Sequence, residues 1–192
     1  MKWNEGMIAR AISLQTLNRR CVLLVNRCIW TGHECDVLGV TTDLRIIDVE
    51  IKISRADLKA DAKKEKWWHR KFSGHGPAES IYSKTGQLLG TTQSVIYDKT
   101  ARYWPPKVWK HYYAMPADIW TPDLLDSLPG TASGILLLSA HSGSADVVVH
   151  CQRRAAPNKD AERLSTQNVM DIARLANLRM WEAYGRAGAL AN

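Results

Sequence analysis

One short segment constrains the fold of this chain more than any other. Residues 44–53 form a β-branched, apolar run interrupted by charged residues at alternate positions. The alternation predicts a strand whose apolar side chains share one face and whose charged side chains share the other, namely Asp48, Glu50 and Lys52. A second strand predicted at 33–40 precedes it, with a turn at 41–43 between them. The two segments therefore predict an antiparallel pair.

Helical and strand patterns alternate along the rest of the chain. Helices are predicted at 4–20 with Asn4 as cap, from Ser54 through Trp68, and from a Ser165 or Thr166 cap to Gly185. Further strands are predicted at 21–25, 110–115, 135–139 and 146–151, with a short polar helix or turn at 122–128 and a turn at 142–144. This order of helices and strands predicts an α/β fold with a mixed central sheet flanked by helices.

A single domain is expected over residues 1–192. Residues 72–106 are longer than an ordinary connection, and Thr85-Gly86 offers a turn between two apolar pairs, so this segment predicts an inserted hairpin. The helix at about 165–185 follows the last strand. No internal repeat or linker divides the chain.

The charge is concentrated in two places. The chain has 26 Lys and Arg against 19 Asp and Glu, which gives a net charge of +7. Residues 52–71 carry a net +5 and residues 99–111 a net +4, so the remainder is mildly acidic. Both stretches interleave bases with Trp and Tyr, the mixture with which proteins bind phosphates and stack on bases. A solvated helix face followed by a core-facing strand explains the same pattern.

Two acidic residues in the predicted strand pair suggest a metal site. Asp36 lies fourteen residues before Glu50, and a hairpin brings the two carboxylates together. Converging carboxylates suit Mg2+, and the nearby Lys52 ammonium suits a charged transition state. An exposed sheet face with a cross-strand ion pair remains the alternative.

At these residues the sequence resembles a known family. Asp36 and the Glu50-Ile51-Lys52 triplet look like the D…(D/E)xK core of the PD-(D/E)XK nuclease superfamily, and residues 32–37 and 49–58 are similar to its MmcB-like DNA repair branch. The segments 112–116 and 134–138 fit the following strands of that branch. The resemblance covers about residues 5–71 and 108–151, and it implies a restriction-endonuclease-like core.

The resemblance also implies an activity. It implies an Mg2+- or Mn2+-dependent nuclease that hydrolyses phosphodiester bonds of DNA in repair or in mobile-element or phage DNA processing. Asp36, Glu50 and the Ile51 carbonyl would bind the metal, and Lys52 would lie beside the attacking water. Glu5 in the first helix and Glu34 near Asp36 are candidates for a further acid. The basic residues expected to contact DNA are Arg55, Lys59, Lys63, Lys64, Lys66, Arg70, Lys71, Lys107 and Lys110.

A second function remains open, since a nuclease fold without catalysis can bind nucleic acid or a protein partner. The four cysteines lack a C-x-x-C pair and are expected to be buried thiols rather than ligands of a metal cluster. The six histidines form no H-x-x-x-H or Ser/His/Asp pattern and are expected to be structural. No secretory or membrane-spanning segment is evident, so a cytoplasmic protein without a membrane partner is expected, with homodimerisation left open.

Overall fold

The computed structural model describes residues 2–140 and 147–189, with side chains described through Arg186. Its helices are α1 (Glu5–Ile12), α2 (Arg55–Asp61) and α3 (Thr166–Ala189), and its strands are β1 (Cys21–Cys28), β2 (Cys35–Thr41), β3 (Ile46–Ile51), β4 (Trp68–Tyr82), β5 (Leu88–Ala101), β6 (Lys110–Pro116), β7 (Gly134–Ala140) and β8 (Val147–Arg153). A π-helical turn at Ser13–Leu17 and 3-10 turns at Glu65–Trp67, Ala117–Ile119 and Pro122–Ser127 complete the order. The turn predicted at 142–144 lies outside the described residues.

Six strands form one mixed sheet in the order β1-β2-β3-β6-β7-β8. Strands β1, β2 and β3 are antiparallel neighbours, β3, β6 and β7 run parallel, and β8 returns antiparallel to β7. Helices lie against the sheet, so the prediction of a mixed α/β fold is confirmed.

The alternating segment at 44–53 contains strand β3, which lies in the middle of this sheet. All six residues of β3 are buried. Val49 and Ile51 pack with Ile8 and Ile12 of α1 on one face, as the alternation predicts. The charged face is not exposed, because Asp48, Glu50 and Lys52 have at most 2% of their surface accessible. The interpretation of this face as an ordinary exposed surface is therefore wrong.

The helix caps follow the sequence signals. The Asn4 side chain accepts a hydrogen bond from the Met7 N–H at 2.9 Å, and the Ser165 hydroxyl accepts one from the Asn168 N–H at 3.2 Å. Such caps satisfy N–H groups that a helix leaves without a partner. Among the described residues, no helix combines the length and apolar character needed to cross a membrane.

Helix α2 is much shorter than the prediction. Ser54 caps it, since its hydroxyl accepts a hydrogen bond from the Asp57 N–H at 3.1 Å, but the helix ends at Asp61 rather than continuing through Trp68. The chain then turns so that Lys64, Lys66 and Trp67 all point back to Asp61. A continuing helix could keep the Lys64 contact, which spans three residues, but it would lose the contacts of Lys66 and Trp67, so buried polar interactions override helix propensity here.

The predicted insertion does contain a hairpin, which is shifted toward the N-terminus by four residues at its start and five at its end. Strands β4 and β5 pair with each other from Trp68–Ala101 to Tyr82–Leu88, so the ribbon begins four residues before position 72. Gly86 occupies its turn at φ +82°, a conformation that favours glycine. Apart from its base at Trp68, nearly every residue of the ribbon is exposed, in contrast to the buried six-stranded sheet.

Candidate active site and its charged network

Asp36 lies just outside the paired region of strands β2 and β3. The paired residues of the two strands begin at Val37 and Val49, and one step earlier the Asp36 carboxylate accepts a hydrogen bond from the Ile51 N–H at 2.7 Å. In an extended strand the N–H and C=O of one residue point to the same neighbour. The Ile51 carbonyl therefore faces the side of β3 on which Asp36 lies.

The Asp36 side chain opens into a cavity of about 480 Å3 between α1, the end of β1 and α3. The charged residues that line it are Glu5, Arg27, Asp36, Arg179, Glu182 and Arg186. Burial, together with the negative charges of Glu50 and Glu5, raises the pKa of Asp36 to about 6, against the Ile51 hydrogen bond and the charge of Lys52. A half-buried carboxylate beside arginines suits a site for a cation and an anion together.

Three of the cavity residues are arginines that the sequence analysis did not single out. Arg27 has a left-handed backbone at φ +51° and pairs with Glu5 at 3.3 Å. Arg179 donates to the Asn26 carbonyl at 2.5 Å, which ties α3 to β1. Positive φ in a non-glycine residue is strained and is often found at binding sites. No local signal joins positions 27, 179 and 186, because only the fold brings them together.

Glu50 lies in a different environment from Asp36. It lines a separate cavity, of about 460 Å3, with Thr31, Gly32, His33, Glu34, Glu65, Pro106 and two lysines. Its carboxylate contacts Lys52 at 3.1 Å, Lys64 at 3.3 Å and Lys66. The predicted metal ligands Asp36 and Ile51 are thus together, whereas Glu50 is surrounded by ammonium groups. Glu34 is exposed in the loop before β2 and lies on the Glu50 side.

Asp61 is the second carboxylate of this charged network. Its carboxylate lies 2.8 Å from the Lys64 ammonium and 3.1 Å from the Lys52 ammonium. It also accepts hydrogen bonds from the Tyr113 hydroxyl at 2.6 Å and the Trp67 indole at 3.0 Å. No role for Asp61 was predicted from the sequence. We call Glu50, Asp61, Lys52, Lys64 and Lys66 the lysine–carboxylate network.

The network favours the charged forms of Glu50, Asp61 and Lys52. Burial by itself would raise the pKa of Glu50 and Asp61, but Lys66 and Lys52 outweigh it and lower both pKa values. Burial would likewise lower the pKa of Lys52, but Glu50 and Asp61 raise it. Opposite charges at these distances stabilise one another strongly when water is excluded. Lys52 is therefore a fixed cation held by two carboxylates.

The basic residues expected to contact DNA divide into two groups. Lys66 is buried, and Lys64 is half-exposed but paired with Glu50 and Asp61, so both serve the network rather than a free basic surface. Arg70 pairs with Glu65 at 2.5 Å, and Arg55 donates to the Ile119 carbonyl at 2.7 Å. The second group lies outside the network, where Lys110 is partly buried and the others are exposed, namely Arg55, Lys59, Lys63, Arg70, Lys71 and Lys107.

The aromatic residues near these bases are used partly within the chain. The Lys107 ammonium lies 4.7 Å from the centre of a Trp30 ring, and the Lys110 ammonium lies 4.4 Å from that of Trp109. Burial, with the charges of Arg20 and Arg154, lowers the pKa of Lys110. Such cation–π contacts reduce the aromatic area left for stacking on bases.

A group that sequence analysis missed lies next to the network. His33, Cys35 and Asp48 bring one ligand atom each to within 4.8 Å of one another, so the group could hold a metal ion. The His-x-Cys spacing at 33–35 was the available signal. This spacing differs from the C-x-x-C and H-x-x-x-H patterns that are typical of metal ligands.

Comparison with known proteins supports the fold only. The chain matches no protein-family model, and it matches no curated protein. Among solved structures it is similar to the SPO1766 protein of unknown function from Silicibacter pomeroyi, with 18% sequence identity over 100% of this chain and 94% of that chain and a TM-score of 0.51. At this level of identity the similarity shows a shared mixed α/β fold.

Proposed function

We propose that this protein is a metal-dependent nuclease that hydrolyses DNA phosphodiester bonds in the cavity lined by Asp36, consistent with its resemblance to the PD-(D/E)XK superfamily. The observation that carries the proposal is the position of Asp36. Its carboxylate is bound to the backbone of β3, lies beside three arginines and remains half-buried. A carboxylate with one backbone partner and an adjacent cavity is available to a ligand.

The donors around this cavity fit a hard divalent cation. Asp36 and Glu5 offer carboxylate oxygens, and the Ile51 carbonyl faces the same side of β3. Mg2+ and Mn2+ prefer such oxygen ligands and retain waters and phosphate oxygens as the others. These three residues would hold the metal, which when bound supplies an activated water and neutralises charge on the phosphate.

The remaining residues of the cavity would bind and orient the substrate. Arg27, Arg179 and Arg186 would hold phosphate oxygens, for which the guanidinium fork is well shaped. The pKa of about 6 leaves Asp36 mostly ionised at neutral pH, as a metal ligand must be. Lys52, fixed by Glu50 and Asp61, would keep the end of β3 rigid beside the reacting phosphate.

Cleavage assays with supercoiled plasmid and with single- and double-stranded oligonucleotides test this proposal. We expect cleavage with Mg2+ or Mn2+ but not with EDTA, and a loss of at least roughly 100-fold in Asp36→Asn. Asp43→Asn, which changes an exposed carboxylate paired with Arg45, is the matched control and should retain activity. Equal cleavage by Asp36→Asn and the wild-type protein would overturn the assignment.

The lysine–carboxylate network favours a second candidate, a catalytically inactive nuclease fold that binds nucleic acid. Glu50 is 2% exposed and contacts three ammonium groups, so in this conformation it lacks room for a metal ion. This candidate predicts binding that needs no metal, weakens steeply with salt and survives both Asp36→Asn and Glu50→Gln. Fluorescence anisotropy from about 50 to 200 mM salt measures it. Binding that is absent or independent of salt would point to a protein partner instead.

A further inference from the structure

We propose that His33, Cys35, Asp48 and His111 form a zinc-binding site. His33 lies in the loop before β2, Cys35 begins β2, Asp48 lies in β3 and His111 in β6. The site is separate from the Asp36 cavity, and it does not depend on the proposed nuclease activity. Its donors are of a different class, since it offers sulfur and nitrogen as well as oxygen.

The shortest distances between donor atoms are close to those of a tetrahedral site. His33 Nε2 lies 3.1 Å from Asp48 Oδ2 and 3.7 Å from Cys35 Sγ, and His111 Nε2 lies 3.9 Å from Asp48 Oδ2. Zinc bonds of about 2.0 Å to nitrogen or oxygen and 2.3 Å to sulfur place tetrahedral ligands about 3.3–3.8 Å apart. The ligand atoms of His33, Cys35 and Asp48 lie within 4.8 Å of one another, and the His111 ring would move toward His33 and Cys35 to complete the geometry.

Buried atoms without hydrogen-bond partners mark the same place. Asp48 Oδ1 and His111 Nε2 are both buried and unpartnered within the described part of the chain, and both residues are 0% exposed. A buried polar atom without a partner is costly. A cation between the two side chains would give His111 Nε2 a partner and would be neutralised in part by the Asp48 carboxylate.

The His111 ring is held in an orientation that suits a metal ligand. Its Nδ1 lies 2.9 Å from the hydroxyl of buried Ser133, and Trp67 and Tyr113 pack edge-on against the ring with centroids 4.9 and 4.7 Å away. Histidine ligands commonly use the second nitrogen in this way, which fixes the ring and leaves the other nitrogen for the metal. When the Nδ1–H of His111 donates to the Ser133 hydroxyl oxygen, Nε2 carries no proton and its lone pair points toward Asp48.

The donor set selects the ion and indicates its role. One thiolate, two imidazoles and one carboxylate suit Zn2+ and are a poor match for Mg2+, which prefers oxygen. The ligands come from neighbouring strands β2, β3 and β6 and from the loop before β2, and four donors close the coordination sphere. A zinc ion here would cross-link strands β2, β3 and β6 at the centre of the sheet. Its ligand Asp48 lies two residues before Glu50 in the sequence.

Metal titration of the full chain tests this site. Protein stripped with a chelator should bind one Zn2+ per chain, and bound Co2+ should give a thiolate-to-metal charge-transfer band. Zinc at about 100 times its dissociation constant should raise Tm by about 5–10 °C for a chain of this size. Cys35→Ser should abolish the charge-transfer band and weaken zinc binding at least tenfold, and His111→Ala should weaken binding similarly. Cys28→Ser, at another buried thiol, should keep both signals.

X-ray absorption at the zinc edge of the wild-type protein is a second measurement that does not depend on the variants folding. We expect one sulfur at about 2.3 Å and three nitrogen or oxygen neighbours at about 2.0–2.1 Å. The proposal is overturned if the wild-type protein takes up no zinc, if the bound zinc has no sulfur neighbour, or if folded Cys35→Ser binds zinc as tightly as the wild-type protein.

Discussion

Asp36 and Glu50 are acidic residues at adjoining positions of one hairpin, yet their surroundings differ sharply. Asp36 is half-buried, has a backbone hydrogen bond and has its pKa raised to about 6. Glu50 is 2% exposed, contacts three lysines and has its pKa lowered. The Glu50 carboxylate is already neutralised by ammonium groups and therefore supports the fold. The Asp36 carboxylate has a raised pKa and lies beside a cavity, so it is available to a ligand. The comparison separates a structural side of the β2–β3 hairpin from a ligand-binding side.

The largest expected effect is on the structural side, at Asp61. Asp61→Asn removes the charge that pairs with Lys52 and Lys64, and it should lower the free energy of unfolding by about 3–5 kcal/mol because the buried Lys52 ammonium loses a charged partner. Urea denaturation measures the change. Asp57→Asn is the matched control, since this carboxylate is 46% exposed and 3.8 Å from Lys52, and we expect a change below about 0.5 kcal/mol. Equal effects of the two substitutions would contradict the network.

The direct test of the comparison is to neutralise each member of the pair. Glu50→Gln should lower the free energy of unfolding by about 2–3 kcal/mol, because charge-assisted hydrogen bonds to buried lysines are lost. Asp36→Asn should change it by less than about 1 kcal/mol, because the amide oxygen can still accept from the Ile51 N–H. Denaturation at pH 7 with EDTA present measures both. The comparison fails if Asp36→Asn proves the more damaging of the two.

Stability should also depend on pH in opposite ways at Asp36 and Asp61. Because the pKa of Asp36 is raised to about 6, the folded state binds more protons than the unfolded state between about pH 4 and 6, so this residue lowers stability as pH rises through that window. The pKa of Asp61 is lowered, so its contribution is present above about pH 4 and is lost as pH falls toward the folded pKa.

Urea denaturation from pH 3 to 7 without metal tests the sign for Asp36. Relative to the wild-type protein, Asp36→Asn should lose the fall in stability between about pH 4 and 6. Asp43→Asn should retain it, since that carboxylate is largely exposed beside Arg45. A wild-type slope that persists unchanged in Asp36→Asn would show that another group is responsible.

The smallest effect is expected in the β4–β5 ribbon. Phe72 is 54% exposed. Its described ring contacts are with His75 and Tyr97, which belong to the same ribbon. Phe72→Ser should therefore change the free energy of unfolding by no more than about 0.5 kcal/mol. Thermal denaturation followed by circular dichroism measures this, with Tyr113→Phe, a change at a fully buried hydroxyl bonded to Asp61, as the destabilised reference. A loss in Phe72→Ser larger than in the reference would show that the ribbon supports the core.

Local signals predicted much of the fold. Period-two alternation at 44–53 identified β3, Asn4 and Ser54 identified helix starts, and Thr85-Gly86 identified the ribbon turn. Local signals did not predict the end of α2, because it depends on the tertiary contacts of Asp61 with Trp67 and the lysines.

The candidate site was predicted less completely. Hairpin spacing predicted that Asp36 would lie beside the Glu50 end of β3, whereas the role of the Ile51 carbonyl was implied only by the family resemblance. The sequence could not indicate that Glu50 faces Lys64 and Lys66, since those contacts require the chain to turn after Asp61. The cavity arginines come from β1 and α3, and His111 reaches Asp48 only through the parallel pairing of β3 with β6.

The most direct test of the central claim is the position of a bound metal ion on the oxygen-donor side of the hairpin. Crystals soaked in Mn2+ would locate the ion by its anomalous scattering. We predict a peak between Asp36, Glu5 and the Ile51 carbonyl, with Glu50 still bound to Lys52 and Lys66. A peak bound to Glu50, with the lysine–carboxylate network opened to admit it, would contradict the division between a structural and a ligand-binding carboxylate.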